Sequence, residues 1–127
     1  MADTPNLPRQ SLPKMRSWLF APGDSEKKMG KAEASPADIA LFDLEDSVSP
    51  ENKPAARLMV SEQIAASKSR ARLWVRINPI ATAYCIADLA AIIPARPGGV
   101  FLPTAEGAVV WLHQINRCQL VAGDQSS

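Results

Sequence analysis

Three carboxylates, Asp43, Glu45 and Asp46, fall within four positions at the end of the apolar run Ile39-Ala-Leu-Phe-Asp-Leu-Glu-Asp-Ser-Val48. A carboxylate is costly to bury unless it is paired, hydrogen-bonded or bound to a cation, so acids closing an apolar strand need a partner or open water. Two readings follow from this segment alone: the edge of an active site, or solvated loop acids that precede the next helix. A second charge stands out in Trp74-Val-Arg-Ile-Asn78, where Arg76 occupies a position that an apolar residue would serve better in a core. Its planar, multi-donor guanidinium suits a carboxylate or phosphate, which makes Arg76 a candidate clamp for a substrate carboxylate. The competing reading is a structural ion pair between Arg76 and an acid of the neighbouring strand.

Other motifs fail on spacing. Gly23-Asp-Ser-Glu-Lys-Lys-Met-Gly-Lys31 resembles a phosphate loop in outline, but six residues separate its glycines instead of four, and Ala32 replaces the metal-binding Ser or Thr. Gly23-Asp-Ser25 is similar to the nucleophile turn of Gly-Asp-Ser hydrolases. The sole histidine, His113, however, has Val110 where the orienting acid would stand, so no triad forms. Ser25 therefore reads as a helix cap and His113 as a helix-surface residue. One histidine and two isolated cysteines, Cys85 and Cys118, lack metal-ligand spacing. A metal bound here should be a hard cation such as Mg²⁺, held by carboxylates and water.

The elements that must position these residues repeat one pattern. Four apolar runs, Ser17 to Ala21, Ile39 to Leu44, Leu73 to Ile77 and Gly99 to Leu102, are each followed by a polar turn and a stretch of helical spacing. The spacing predicts four strands, with helices over about Glu26 to Ala34, Lys53 to Ser67, Thr82 to Ile93 and Ala105 to Arg117. Pro54 is harmless only in a first helical turn, and Pro94 stops the third helix. Alternating strands and helices imply parallel strands with right-handed crossovers, hence an α/β fold. Functional residues of such sheets gather at the carboxyl ends of the strands. That rule selects Asp24, Asp43, Glu45, Asp46, Asn78 and Glu106 as rim candidates around a single arginine, Arg76.

With 127 residues, 46% apolar and 21% charged, and a net charge of +1, the chain has the profile of one globular domain. It has no basic stripe with interleaved aromatics for nucleic acid and no apolar run long enough for a membrane span. The first fifteen residues carry three prolines and no apolar block, the composition of a flexible arm and not of a secretory signal. Two distant cysteines fit free thiols in a reducing compartment, and the cytoplasm is the expected location.

In chain order, Arg16-Ser-Trp-Leu-Phe-Ala-Pro-Gly-Asp24, Lys31-Ala32, Asp43-Leu-Glu-Asp-Ser-Val48, Lys53 with Ala56-Arg57, Val75-Arg-Ile-Asn78, Asp88-Leu89 and Gly99-Val-Phe-Leu-Pro103 with Glu106 carry a family resemblance. The chain resembles the citrate lyase beta-subunit and malyl-CoA lyase group of the HpcH/HpaI aldolase superfamily over residues 16 to about 107. The resemblance implies a TIM (β/α)₈ barrel of which residues 16–117 carry the first four βα units, and the composition of the two ends leaves an arm over 1–15 and a disordered or aberrant tail over 118–127. It also implies Mg²⁺-dependent cleavage or formation of a carbon–carbon bond in a 3-hydroxyacyl-CoA or related 2-oxo acid. Arg76 would bind the substrate carboxylate, and Glu45 and Asp46 would reach the metal through its waters. The metal would polarise the oxo group and stabilise the developing enolate.

Two departures qualify the resemblance. Thr104 stands where the family usually has Lys, and a whole barrel needs about 250 residues. The family's direct metal ligands, a Glu after the fifth strand and an Asp after the sixth, have no counterpart here, so no catalytic set is complete. The expectation is a truncated or frame-shifted product, inactive alone, that self-associates through exposed strand edges. The alternative from another class is a self-contained α/β module that binds an anionic ligand or a protein partner without chemistry.

Overall fold

The computed structural model describes residues 17–104 together with strands over 107–114 and 117–122. The elements are β1 (Trp18–Pro22), α1 (Glu26–Ala34), β2 (Ile39–Asp43), α2 (Lys53–Ala65), β3 (Leu73–Arg76), α3 (Tyr84–Ile92), β4 (Gly99–Thr104), β5 (Gly107–Gln114) and β6 (Arg117–Ala122). They form one sheet in the order β1-β2-β3-β4-β5-β6. Strands β1 to β4 run parallel, and β5 and β6 continue the sheet antiparallel.

Local chemistry explains the boundaries. The Ser25 hydroxyl caps α1 by accepting the Lys28 N–H at 3.2 Å, and Glu26 and Lys31 each sit at the helix end that their charge favours. Arg72 then donates to the carbonyls of Glu33, Ser35 and Ala37, which satisfies the end of α1 and the turn into β2. Pro54 lies in the first turn of α2. A 3₁₀ turn at Ile93–Ala95, containing Pro94, ends α3 and leads to Arg96 at a left-handed φ of 64°.

The helices cover one face of the sheet. Ala21, Ala40, Phe42, Leu73, Val75 and Val100 meet Met29, Ala32, Ala56, Val60, Ile64, Cys85 and Ile92 in the main core. Burying each large side chain of this set contributes roughly 1.5–3 kcal/mol. The opposite face carries a second cluster, Trp18, Ile39, Leu41, Trp74 and Phe101, which contains no helical residue. Trp18 meets Trp74 edge to face with centroids 5.5 Å apart. A Cβ on Gly99, the register partner of Trp74, would lie 2.8 Å from the indole, so only glycine leaves room for that ring.

Three expectations need correction. The fourth helix, expected over Ala105 to Arg117, is replaced by β5 and the start of β6, so three helices accompany the four parallel strands. The physical reason lies in Val109-Val110-Trp111, β-branched and aromatic residues that favour a strand and lower helix propensity. His113 accordingly lies in β5 and not on a helix surface. Of the tail expected over 118–127, residues 118–122 lie in β6, and 123–127, like the arm over 1–15, fall outside the described residues.

Candidate functional site

Asp43 closes β2 and Arg76 closes β3, and the two are register partners on the helix-free face at the carboxyl ends of the strands. Arg76 Nε donates to Asp43 Oδ1 and Nη2 to Oδ2, each at 2.9 Å. The same carboxylate accepts the Glu45 N–H at 2.8 Å, the Ser47 N–H at 3.0 Å and the Ser47 hydroxyl at 2.7 Å. Burial alone would raise the Asp43 pKa, but the bonds from Arg76, Ser47 and the two amides outweigh it and hold the carboxyl at about 2.

Arg76 is held but not enclosed. Its guanidinium lies over the Phe20 ring at 5.7 Å, and its Nε is 3.4 Å from Glu45 Oε1. The hydrogen bond to Asp43 raises its already high pKa against the opposing effect of burial. Among the described residues its hydrogen bonds leave from Nε and Nη2 and none from Nη1. Burial raises the Glu45 pKa above the usual carboxylate value, with Arg76 opposing and the like charges of Asp46 and Asp43 adding to it.

A second network lies behind this pair, with Lys53, Asn78 and Asp88 buried at its centre. Lys53 Nζ donates to the carbonyls of Leu44 and Glu45 at 2.9 Å each and to Asn78 Oδ1 at 3.0 Å. Asn78 Nδ2 donates to Leu44 O at 3.0 Å and to Asp88 Oδ2 at 2.6 Å, and the Asn78 N–H reaches the same Asp88 oxygen at 2.9 Å. Arg57 Nε completes the chain with a 2.8 Å bond to Asp88 Oδ1.

The structure thus brings together Asp43, Glu45 and Arg76. Asp24 sits half-buried in the turn after β1, and Asp46 is exposed in the turn after β2. Asn78 is not a rim residue, since its side chain is buried in the network behind the rim, a correction to the expected position. Glu106 lies outside the described residues. Sequence reasoning assigned no role to Lys53, Arg57, Asp88 or Ser47. A lysine immediately before the first-turn proline of a helix was a usable signal, because the helix dipole disfavours a cation there. Gly23 also serves the site, donating its N–H to Asp43 O at 2.8 Å where a Cβ would crowd that same carbonyl.

Among the described residues no group of three or more His, Cys, Asp or Glu side chains is placed to hold a metal ion. Asp43, the most buried acid of the rim, already spends its oxygens on protein donors. No helix among the described residues is long and apolar enough to cross a membrane. A groove of about 280 Å³ lies between α1 and α2, lined by Glu26, Glu33, Met59 and Glu62, and shares no residue with the rim.

Comparison with known proteins extends this geometry. The chain is 40% identical over 91 residues to the citrate lyase subunit beta-like protein of Mycobacterium tuberculosis, covering 72% of this chain and 32% of that one. It is 34% identical over 95 residues to the mitochondrial citramalyl-CoA lyase of Rattus norvegicus, covering 72% of this chain and 28% of the other. Among solved structures it is similar to protein CitE from M. tuberculosis in complex with magnesium, acetoacetate and coenzyme A. That likeness has 39% identity and a TM-score of 0.61, and it covers 70% of this chain and 32% of that chain. The chain therefore spans about a third of the length of the relatives it matches. The family model described as HpcH/HpaI aldolase/citrate lyase matches residues 16–118, a stretch that contains β1 to β4 and both members of the Asp43–Arg76 pair, and the chain belongs to that family.

Proposed function

We propose that this chain carries the carboxylate-gripping rim of a carbon–carbon lyase that cleaves or forms a bond in a 3-hydroxyacyl-CoA or related 2-oxo acid. The observation that carries the reading is the Asp43–Arg76 fork, which fixes a guanidinium on the helix-free face and leaves Nη1 without an acceptor among the described residues. Arg76 would grip the free carboxylate of the substrate and so hold the scissile bond in one place. The β1 to β4 sheet, with its helices on one face, is read as the first half of a (β/α)₈ barrel whose interior is the opposite face. The β5–β6 hairpin departs from that pattern. The names of the relatives, a citramalyl-CoA lyase and a protein bound to magnesium, acetoacetate and coenzyme A, support the substrate class and the metal.

Mg²⁺, when bound, would supply charge that stabilises an enolate. The described residues do not fit the role of its direct ligands, so Glu45 and Asp46 are assigned only to the waters around it. The 127-residue chain made alone is accordingly proposed to lack lyase activity. Calorimetric titration with oxaloacetate, with and without Mg²⁺, tests the reading in the wild type and in Arg76→Ala. Binding that depends on Arg76 and strengthens with Mg²⁺ is expected; equal binding by the variant would overturn it. The lack of a metal-holding cluster among the described residues favours a second reading, an anion-binding module without chemistry. That module would bind through Arg76 with no response to Mg²⁺.

A further inference from the structure

Lys53 stands against two physical preferences at once. It opens α2, where the positive end of the helix dipole repels a cation, and it is only 5% exposed, although an ammonium is costly to bury. What offsets both is the set of acceptors around Nζ: Leu44 O, Glu45 O and Asn78 Oδ1, all within 3.0 Å, with the Tyr84 ring 5.2 Å away. An ammonium has one N–H for each of these oxygens and can direct them separately, whereas a planar guanidinium cannot.

Two of the acceptors are consecutive carbonyls of the segment that leaves β2. That segment carries Glu45, whose N–H bonds Asp43 at 2.8 Å and whose carboxylate stands 3.4 Å from Arg76 Nε. The third acceptor belongs to the segment that leaves β3, and Asp88 holds it from α3. The ammonium therefore ties together the ends of the two strands that carry the rim pair.

We infer that Lys53 is a positioning residue for the rim: from behind the sheet it fixes the Leu44 and Glu45 carbonyls and so holds Glu45 beside Arg76. Its relevance to substrate binding rests on the function proposed for Arg76; the positioning itself does not.

Amide hydrogen exchange of the 127-residue chain, read by NMR in the wild type and in Lys53→Met, tests this. The Glu45 and Ser47 amides should exchange at least about tenfold faster in the variant, beyond any change at the β2 and β3 ladder amides. The Arg76 Nε–H resonance should shift. Lys53→Arg keeps the charge without the donor geometry and should behave like Lys53→Met. Should Lys53→Met not fold, Asn78→Ser withdraws one acceptor and should give the same ordering of effects. A uniform change across all amides, no change at Glu45 and Ser47, or full restoration by Lys53→Arg would overturn the inference. If the exchange pattern appears while oxaloacetate binding ignores Arg76→Ala, the positioning role stands and the proposed function fails.

Discussion

Arg76 and Asp43 meet as a two-pronged pair across adjacent parallel strands, with both contacts at 2.9 Å and the carboxylate side chain only 3% exposed. Removing one member leaves the other charge uncompensated, which is more damaging than the net value of the pair. Asp43→Asn is therefore expected to lower stability by about 3 kcal/mol. Arg76→Lys keeps a charge but loses the fork and should cost less, while still weakening oxaloacetate binding at least about tenfold. Urea unfolding of both variants checks the ranking; a stability unchanged in Asp43→Asn would make the pair incidental.

The same carboxylate sets an acid limit. Its pKa is lowered in the folded chain from 3.8 to about 2, so the unfolded state binds a proton first as pH falls. The stability it contributes is complete above about pH 4 and is lost as the pH approaches 2. Glu45, shifted upward, acts with the opposite sign at pH values above its ordinary range and does not mask this loss. Denaturation midpoints between pH 5 and pH 2.5 should fall steeply in the wild type and more shallowly in Asp43→Asn.

Two glycines should respond to a methyl group in opposite ways. A Cβ on Gly23 would lie 2.8 Å from both Asp43 O and a Val60 methyl, so Gly23→Ala should destabilise the chain by roughly 1–3 kcal/mol. Gly30, inside α1, has nothing within 4 Å of its added Cβ. There Gly30→Ala should stabilise by about 0.5–1 kcal/mol through the lower entropy of the unfolded chain. Thermal melts of the two variants should move in opposite directions.

The sequence was most legible where local chemistry and tertiary demand agree. Ser25, Pro54 and Pro94 mark the helix ends they were expected to mark, because capping and the missing proline N–H act within one turn. Both readings of Arg76 were open, and the structure supplies the ion pair with a neighbouring-strand acid, Asp43. Asn78 was misplaced because its position at the end of β3 says nothing about which side of the sheet its side chain takes. Its partners Lys53 and Asp88 lie 25 and 10 residues away along the chain. Past Thr104 the contest between helical spacing and β-branched composition went to the strand.

Self-association is expected through β1. Among the described residues this strand is paired on one side only, and Leu19 and Phe20 on it are 42% and 56% exposed. Such an edge invites another strand. Light scattering should report assemblies larger than 13.7 kDa that Leu19→Lys shifts toward the single chain. A strictly monomeric wild type would count against the edge as an association site.

The register of the sheet sorts its helix-free face into rows. Leu41, Trp74 and Gly99 share one row, and Asp43, Arg76 and Phe101 share the next, one step nearer the carboxyl ends. On β1 to β4 charge is thus admitted to this face only in the last row, and directly beneath it Leu41 and Trp74 are 1% and 0% exposed. This apolar layer is a floor. An acid that met Arg76 could go no deeper without stripping its own hydration against indole and leucine, so any longer part of the same molecule has to lead upward, away from the sheet and over the loops that follow β1 to β3.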